Sequence, residues 1–182
     1  AYLNYIEAYY ERHNTLDAKA TAYWKAIRKR AGVDEDIQKT IDATDMQKEA
    51  AANWSAYSAG KLVDKTLYNI RRERACEFMA EGYRTDDLRR WRSLDQLMTT
   101  PYFIEGFKIW GDYYPEKYAE AAKEDKTYEL IYGVDNSNAN VSDPALSKYV
   151  RPYQIARTLA YDGYTWKMAH YLSPIAIQHF MI

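Results

Sequence analysis

Apolar positions recur with a helical period at the start of the chain. The first stripe, at a spacing of three to four residues, comprises Tyr2, Ile6 and Tyr9 or Tyr10. A second stripe at similar spacing comprises Ala20, Tyr23, Trp24, Ile27 and Ala31. His13–Thr15 separates the two stripes, Thr15 or Asp17 can cap the second helix, and Gly32 can end it. Residues 1–31 are therefore predicted to form a helical hairpin of about the length of a tetratricopeptide unit.

Residues 33–63 are more polar and only weakly periodic. A helix is predicted over Thr44–Tyr57, because Thr44 and Asp45 can cap it and Gly60 can end it. Trp54 and Tyr57 would then share one face.

The strongest helical pattern covers residues 64–81. Its stripe comprises Leu67, Ile70, Arg74, Phe78 and Glu81. An isolated buried charge costs several kcal/mol, so Arg74 is expected to pair with Glu77, with Glu81 or with a carboxylate of a neighbouring helix. A further helix is predicted over Asp86–Met98. The inner face of this helix would comprise Leu88, Trp91, Leu94 or Asp95, and Met98.

Glycine and proline divide the chain into short segments after Pro101. One helix is predicted at Pro115–Glu124, and shorter ones from Asp143 and Ser173. Asp162–Gly163 is typical of a two-residue hairpin turn. The predicted fold is mainly α, with a tetratricopeptide-like hairpin scaffold in residues 1–100, a loop-rich region in 101–182 and at most a small β-hairpin.

Charge and composition exclude several classes of protein. The 25 Lys and Arg balance 26 Asp and Glu, so no basic surface for nucleic acid is expected. No apolar run reaches the length of a membrane span. One cysteine, Cys76, and three histidines favour neither a disulfide nor a metal site, and no cofactor is predicted. Cys76 is expected to be buried in its helix.

Aromatic residues are abundant, with 19 Tyr and 5 Trp. Such rings usually pack between helices, but they can also stack on the apolar face of a sugar. The candidate glycan-binding residues are Trp54, Tyr57, Trp110, Tyr113, Tyr114 and Trp166. Gly111 lies within the Trp110–Tyr114 segment, which makes this the best candidate for exposed rings.

Glu73, Glu77 and Glu81 recur every four residues beside arginines. Paired carboxylates can hydrolyse glycosides when they flank a cleft. Carboxylates along one helix among arginines are more typical of a structural ion-pair network. That network is predicted to comprise Arg74, Glu77, Glu81 and Arg84, and no catalytic residue is assigned.

The run Ile70–Arg84, continued by Asp87–Trp91, resembles the C-terminal signature of the SusD/RagB-like family of outer-membrane nutrient-binding lipoproteins. Tyr5–Ala8 and Ile27–Gly32 resemble the last tetratricopeptide-like hairpin of that family. Tyr171–Ile175 looks like its C-terminal Tyr-Leu-x-Pro-Ile-Pro element, although Ala176 replaces the final proline. Thr85 stands where a bulkier residue is expected.

The resemblance implies a surface lipoprotein of a Bacteroidetes-type outer membrane that passes oligosaccharide, or peptide in some cases, to a TonB-dependent transporter. It implies binding without catalysis. Residues 1–182 would be the C-terminal part of one such domain, with the lipid anchor and earlier repeats upstream of Ala1. Two alternatives remain open, a helical-repeat scaffold that binds only protein and a glycoside hydrolase.

Overall fold

The computed structural model describes residues 1–109, 113–133, 139–142, 149–151 and 162–172. Across these ranges, seven α-helices dominate and four two-residue strands form two small sheets. The prediction of a mainly helical protein is therefore confirmed. The described residues divide into two compact units. The helical unit contains residues 1–96 with 167–172, and the second unit contains the described part of 97–166.

Helices α1 (Tyr2–His13) and α2 (Ala18–Ala31) form the predicted hairpin. Asn14 has a φ of 54° and ends α1 in the left-handed conformation. Asp17 caps α2, since its carboxylate accepts a 2.6 Å hydrogen bond from the backbone amide three residues later. Gly32, with a φ of 70°, ends α2 as predicted.

Two short helices, α3 (Ile37–Ala43) and α4 (Met46–Ala52), occupy the next segment. The single helix predicted over Thr44–Tyr57 was therefore wrong in extent. Asp36 and Asp45 cap the two helices by accepting hydrogen bonds from backbone amides. Helix α3 buries only two isoleucines, too few for a period to be visible in the sequence.

A 3-10 turn (Trp54–Ala56) leads into a hairpin of β1 (Tyr57–Ser58) and β2 (Lys61–Leu62). Ala59 and Gly60 form its turn, with φ values of 50° and 78°. Positive φ at both central residues is what a tight two-residue hairpin requires. The two aromatic residues of this segment therefore do not share the face of one helix, contrary to the prediction.

Helix α5 (Lys65–Glu77) begins at Asp64, whose carboxylate accepts hydrogen bonds of 2.8 and 3.0 Å from the first free amides. A turn containing Ala80 and Gly82, both with positive φ, then leads to α6 (Arg84–Arg90). The signature run therefore forms two helices joined by this turn.

The buried faces of α5 and α6 differ in part from the predicted stripes. Helix α5 buries Tyr68, Asn69, Ile70, Arg71 and Arg74. Cys76, in the last turn of α5, is exposed, so the expectation of a buried cysteine was wrong. The chain leaves the α6 helix at Trp91, and Arg92 has a φ of 51°. In the 3-10 turn that follows, Leu97 is buried and Met98 is exposed. The helix predicted over Asp86–Met98 would have buried Met98, so that prediction was wrong in extent.

The core of the helical unit lies where α1, α2, α3 and α5 meet. Its buried residues are Leu3, Ile6, Tyr10, Ala20, Trp24, Ile27, Ile37, Ile41 and Ile70. Apolar burial of this kind is the main favourable term in folding. No helix in the described ranges is long and apolar enough to cross a membrane.

The second unit combines α7 (Tyr113–Ala121) with a parallel pair of strands, β3 (Tyr132–Gly133) and β4 (Val141–Ser142). Its small core comprises Ile109, Val141 and Val150. Helix α7 matches the predicted Pro115–Glu124 helix within a few residues. The helices predicted from residues 143 and 173 lie outside the described residues.

The two ends of the second unit meet. The Trp166 amide donates to the Leu97 carbonyl at 3.3 Å. Tyr102 and Tyr164 exchange backbone hydrogen bonds of 2.9 and 2.6 Å. Gly163 has a φ of 84°, and a Cβ added there would lie 2.8 Å from a proline Cβ. The strand expected before this turn lies outside the described residues, so the predicted hairpin at Asp162–Gly163 stays a prediction.

The segment 167–172 packs on the helical unit. The Tyr171 hydroxyl donates to Asp95 Oδ1 at 2.6 Å and accepts from the Leu94 amide at 3.3 Å. Arg89 Nη2 donates to the His170 carbonyl at 2.7 Å. Burial, followed by the hydrogen bond to Asp95, raises the pKa of Tyr171 to about 12. The hydroxyl therefore stays protonated at neutral pH.

Candidate functional site

Arg74 lies on the buried face of α5 and is held by two other helices. Its Nε donates to Asp87 Oδ2 of α6 at 2.7 Å, and its Nη1 donates to Asn4 Oδ1 of α1 at 2.7 Å. The charged side chains are only 10% and 6% exposed. A buried pair of this kind depends on close geometry and on further hydrogen bonds. Of the partners allowed by the sequence, the carboxylate of a neighbouring helix is the one observed.

The other carboxylates of α5 face arginines of α2. Glu73 accepts hydrogen bonds from Arg28 at 3.1 Å and from the Trp24 indole at 2.9 Å. Glu77 pairs with Arg30. A glycosidase needs two carboxylates on either side of a cleft. These two instead lie one turn apart on a helix, and each binds an arginine.

Arg84 and Glu81 complete the predicted ion-pair network, but the structure places them elsewhere. Arg84 donates to Ser55 Oγ at 2.5 Å and to Asn53 Oδ1 at 2.9 Å. Desolvation of its guanidinium lowers the pKa of Arg84, although the side chain as a whole remains exposed. Glu81 is exposed in the turn after α5. Arg74, Glu77 and Arg84 therefore contact separate partners, and these three do not form a single network.

Glu7 is a buried carboxylate that sequence reasoning missed. It is 3% exposed and accepts hydrogen bonds of 2.6 and 2.7 Å from the two Nη atoms of Arg90. It also accepts one from the Trp91 indole. Burial works against the charged form of Arg90, but the bonds from Glu7 and then Asp87 raise its pKa. These partners are 83 and 84 residues away in sequence, so no local pattern could reveal them.

Arg71 ties α5 to the 3-10 turn and the β1–β2 hairpin. Its Nη1 donates to the carbonyls of Ser55 and Tyr57 at 3.2 and 3.0 Å, and its Nη2 donates to Ser58 Oγ at 2.8 Å. The guanidinium lies 4.6 Å from the centre of the Trp91 ring. Burial lowers the pKa of Arg71. The turn and hairpin are consequently fixed to the helices.

Trp54 and Tyr57 are the two candidate glycan-binding rings of the helical unit. Both are half-buried. Trp54 follows Asn53, whose side chain accepts a 3.0 Å hydrogen bond from the Ser55 amide. The Tyr57 carbonyl accepts a 2.8 Å bond from Ser93 Oγ. Both residues are therefore partly exposed, and hydrogen bonds hold the backbone that carries them.

The remaining candidate rings belong to the second unit. Tyr114 is half-buried, and its ring centre lies 5.6 Å from that of Phe107. Trp166 is only 8% exposed, so its ring has little surface to offer a ligand. Tyr113 begins α7. Trp110 lies outside the described residues, so its expected exposure stays a prediction.

The signature run and the helices around it point to one family of proteins. A model of the SusD family matches residues 1–179 of the 182. This chain belongs to the SusD family. Comparison with curated proteins and with solved structures gave no match.

SusD membership implies glycan binding in polysaccharide utilization, and the proteins of this family bind without catalysing. It also suggests a SusC-like partner and a place among outer-membrane surface lipoproteins. In this SusD-family chain, the signature charges on α5 and α6 are engaged with other helices and with the 3-10 turn. Among the described residues, no group of three or more His, Cys, Asp or Glu could hold a metal ion.

The SusD-family hairpin of α1 and α2 also carries a ladder of rings, some of which the sequence pattern placed in the apolar stripes of the two helices. Tyr2 and Tyr23 stack with ring centres 4.0 Å apart, and Tyr9 stacks on His13 at 4.2 Å. Tyr5 joins the two pairs, lying 5.5 Å from Tyr23 and 5.9 Å from Tyr9. Spacing of three or four residues was the available signal, but that spacing also marks a buried stripe.

Proposed function

We propose that this SusD-family chain binds oligosaccharide or polysaccharide at the outer-membrane surface and delivers it to a TonB-dependent transporter. The observation that carries the proposal is the SusD-family match across residues 1–179. The chain would act as part of a surface lipoprotein, and peptide is the second ligand class to be tested. Its role is capture without turnover.

Trp54 is the best candidate for sugar stacking in the helical unit. The residues on either side of it are clamped, since Arg84 binds both Asn53 and Ser55 and Arg71 binds the Ser55 carbonyl. A ring on a fixed backbone loses little conformational freedom when it binds. Its indole offers a flat apolar surface and a polar edge, which suits a pyranose ring.

Binding to a panel of neutral and acidic polysaccharides and of peptides, measured by isothermal titration calorimetry, tests this proposal. Trp54→Ala should weaken saccharide binding by about tenfold, or about 1.4 kcal/mol. Tyr57→Ala should act in the same direction. Tyr2→Ala removes a more exposed ring from α1, with Tyr2 47% exposed, and serves as the control.

Different results of this titration lead to different conclusions. Saccharide binding with no reducing-sugar release agrees with capture. If the folded chain bound neither saccharides nor peptides, the proposal of ligand capture would be abandoned. If the Tyr2→Ala control weakened binding as much as Trp54→Ala, the stacking assignment would be lost.

The ring ladder on α1 and α2 favours a second function, a scaffold that binds only protein. Tyr2 is 47% exposed at the end of this ladder, and exposed aromatic surface is common at protein interfaces. Pull-down of a TonB-dependent transporter that is unaffected by saccharide, and is lost in Tyr2→Ala, would favour the scaffold. A glycosidase would instead release reducing sugar in a manner lost in Glu77→Gln.

A further inference from the structure

A concave cleft of about 390 Å³ lies within the second unit, between α7 and the chain that follows it. One wall is formed by small apolar residues of α7 and its C-terminal end, namely Pro115, Ala119 and Ala122. The facing wall is formed by Leu130 and Tyr132. Its volume falls in the range of small-molecule sites, which are concave and mostly apolar.

Hydrogen bonds from a buried asparagine side chain to the backbone hold the wall that contains Tyr132. The side chain of Asn140, which is 6% exposed, donates to the Glu129 carbonyl at 2.6 Å and accepts from the Ile131 amide at 2.8 Å. Tyr132 itself belongs to β3, which pairs with Val141 of β4. The buried amide therefore fixes this wall against the core of the unit, and the cleft is formed before any ligand binds.

The turn between the two walls is also held. Asp125 accepts a 2.9 Å hydrogen bond from the Thr127 amide, which caps the 3-10 turn Lys126–Tyr128. This backbone bond is the main reason that the pKa of Asp125 is lowered. Lys126 begins this turn and Lys123 precedes it, and both lysines line the cleft.

The chemistry of the lining suits a polyhydroxylated ring. Tyr132 is 39% exposed and lines the cleft, so part of its ring surface is accessible there. The ammonium groups of Lys123 and Lys126 are hydrogen-bond donors, whereas the Glu129 carboxylate is an acceptor. Neighbouring hydroxyl groups of a sugar can accept from the first and donate to the second, while its C–H face lies on the tyrosine.

The surrounding charge decides between neutral and acidic sugars. Within residues 113–133 the basic residues are Lys117, Lys123 and Lys126. The acidic residues of the same segment are Glu116, Glu120, Glu124, Asp125 and Glu129. In the lining itself Lys123 and Lys126 outnumber Glu129, but Glu124 and Asp125 adjoin the two lysines in sequence and leave no excess of positive charge to hold a uronate or a sulfated sugar. A neutral ring needs no such excess.

We infer that this cleft is a subsite for one neutral pyranose residue of a bound glycan. The inference rests on the proposed glycan-binding function and adds the place of one contact and the class of sugar. Tyr132 supplies the stacking surface, Lys123 and Lys126 donate to hydroxyl oxygens, and Glu129 accepts from a hydroxyl group.

Titration of the whole chain with neutral oligosaccharides, including manno-, xylo- and malto-oligosaccharides, tests the subsite. Tyr132→Ala should weaken binding of the preferred oligosaccharide by about tenfold. Tyr132→Phe keeps the ring and should bind within about twofold of the wild type. Tyr128→Ala is the matched control, because Tyr128 is 49% exposed and does not line the cleft.

A second pair of variants tests the polar rim. Lys123→Gln should weaken binding by about threefold to fivefold. Lys117→Gln changes an exposed lysine of α7 that does not line the cleft, and it should have no effect. Circular dichroism of each variant establishes that α7 and the rest of the chain remain folded.

The possible outcomes distinguish failure of the subsite from failure of glycan capture as a whole. Glycan binding that Tyr132→Ala leaves unchanged would overturn the subsite and leave glycan capture in place. Tighter binding of polygalacturonate than of every neutral glycan would overturn the assignment of a neutral sugar. A chain that bound no glycan would fail both, and equal losses in Tyr132→Ala and Tyr128→Ala would show a general effect on folding and overturn the subsite.

Discussion

The ion pair between Glu7 and Arg90 predicts that its two members contribute unequally to stability. The Glu7 side chain is 4% exposed, whereas that of Arg90 is 43% exposed. In Arg90→Met, the carboxylate loses both guanidinium bonds but stays out of water, with the Trp91 indole still donating to it. In Glu7→Gln, the guanidinium keeps its 2.9 Å bond to Asp87 and can turn its Nη atoms towards solvent. Removing the exposed partner should therefore cost more than removing the buried one.

The size of each effect follows from the contacts that are lost. Leaving a buried charge without its partner costs about 3–5 kcal/mol. The positive charge of Arg71 also attracts Glu7, which places Arg90→Met near the lower end, at about 3 kcal/mol. Glu7→Gln keeps an oxygen that can accept from the indole, and should cost about 1.5 kcal/mol. The double variant should be more stable than the sum predicts, by about 1–2 kcal/mol.

Urea unfolding at pH 7, followed by far-UV circular dichroism and extrapolated linearly to water, measures these differences. Lys117→Met is the control, because it breaks an ion pair with Glu120 whose side chains are 60% and 69% exposed. Its effect should stay within about 0.5 kcal/mol. The reasoning is refuted if Arg90→Met proves no more destabilising than Glu7→Gln, or if the two losses simply add.

Three other changes test separate parts of the fold. Gly163→Ala should lower the unfolding free energy by about 2 kcal/mol or more, because the new Cβ would lie 2.8 Å from a proline Cβ at a φ of +84°. Gly32→Ala, at a φ of +70° in open space, should cost only about 1 kcal/mol, and equal losses in melting temperature would contradict this account. Tyr171→Phe removes the bond to Asp95 and should cost about 1 kcal/mol at pH 7. Folding raises the pKa of Tyr171 from 10.0 to about 12, so its contribution to stability is present below pH 10 and is lost as the pH rises towards 12. If the unfolding free energies of the wild type and of Tyr171→Phe differed by a constant amount from pH 8 to pH 12, this account would be contradicted. Asp17→Ala removes the cap of α2 and should lower the unfolding free energy, measured with urea, by about 1–2 kcal/mol. Asp17→Ser should recover part of the loss, and an Asp17→Ala variant as stable as the wild type would argue against the cap.

The helical hairpin could be predicted because its signals are local. Its apolar stripes have a helical period, and Asp17 and Gly32 mark the ends of α2 by their own chemistry. Helix α3 was missed because it has only one short apolar pair. The turn at Ala59 was missed because alanine rarely adopts positive φ, so a tertiary contact must hold it there. Its amide donates to the Arg92 carbonyl at 2.9 Å.

The candidate site was less accessible from sequence because its contacts are long-range. A pattern showed that Arg74 needs a partner, but not that Asp87 would supply it. Likewise, residue type made Trp166 a candidate ring, but only the fold shows that it is buried. The exposure of an aromatic ring depends on what packs over it, and short-range spacing carries no such information.

The meeting of the two ends of the second unit bears on how such a chain can evolve. The bonds of Leu97 with Trp166 and of Tyr102 with Tyr164 close the unit at its base. Residues can be added or removed between these points while the entry and exit of the chain stay the same distance apart. Doubling the length of a closed loop costs only about 0.6 kcal/mol. The unit can therefore exchange its contents while the closure at its base is kept.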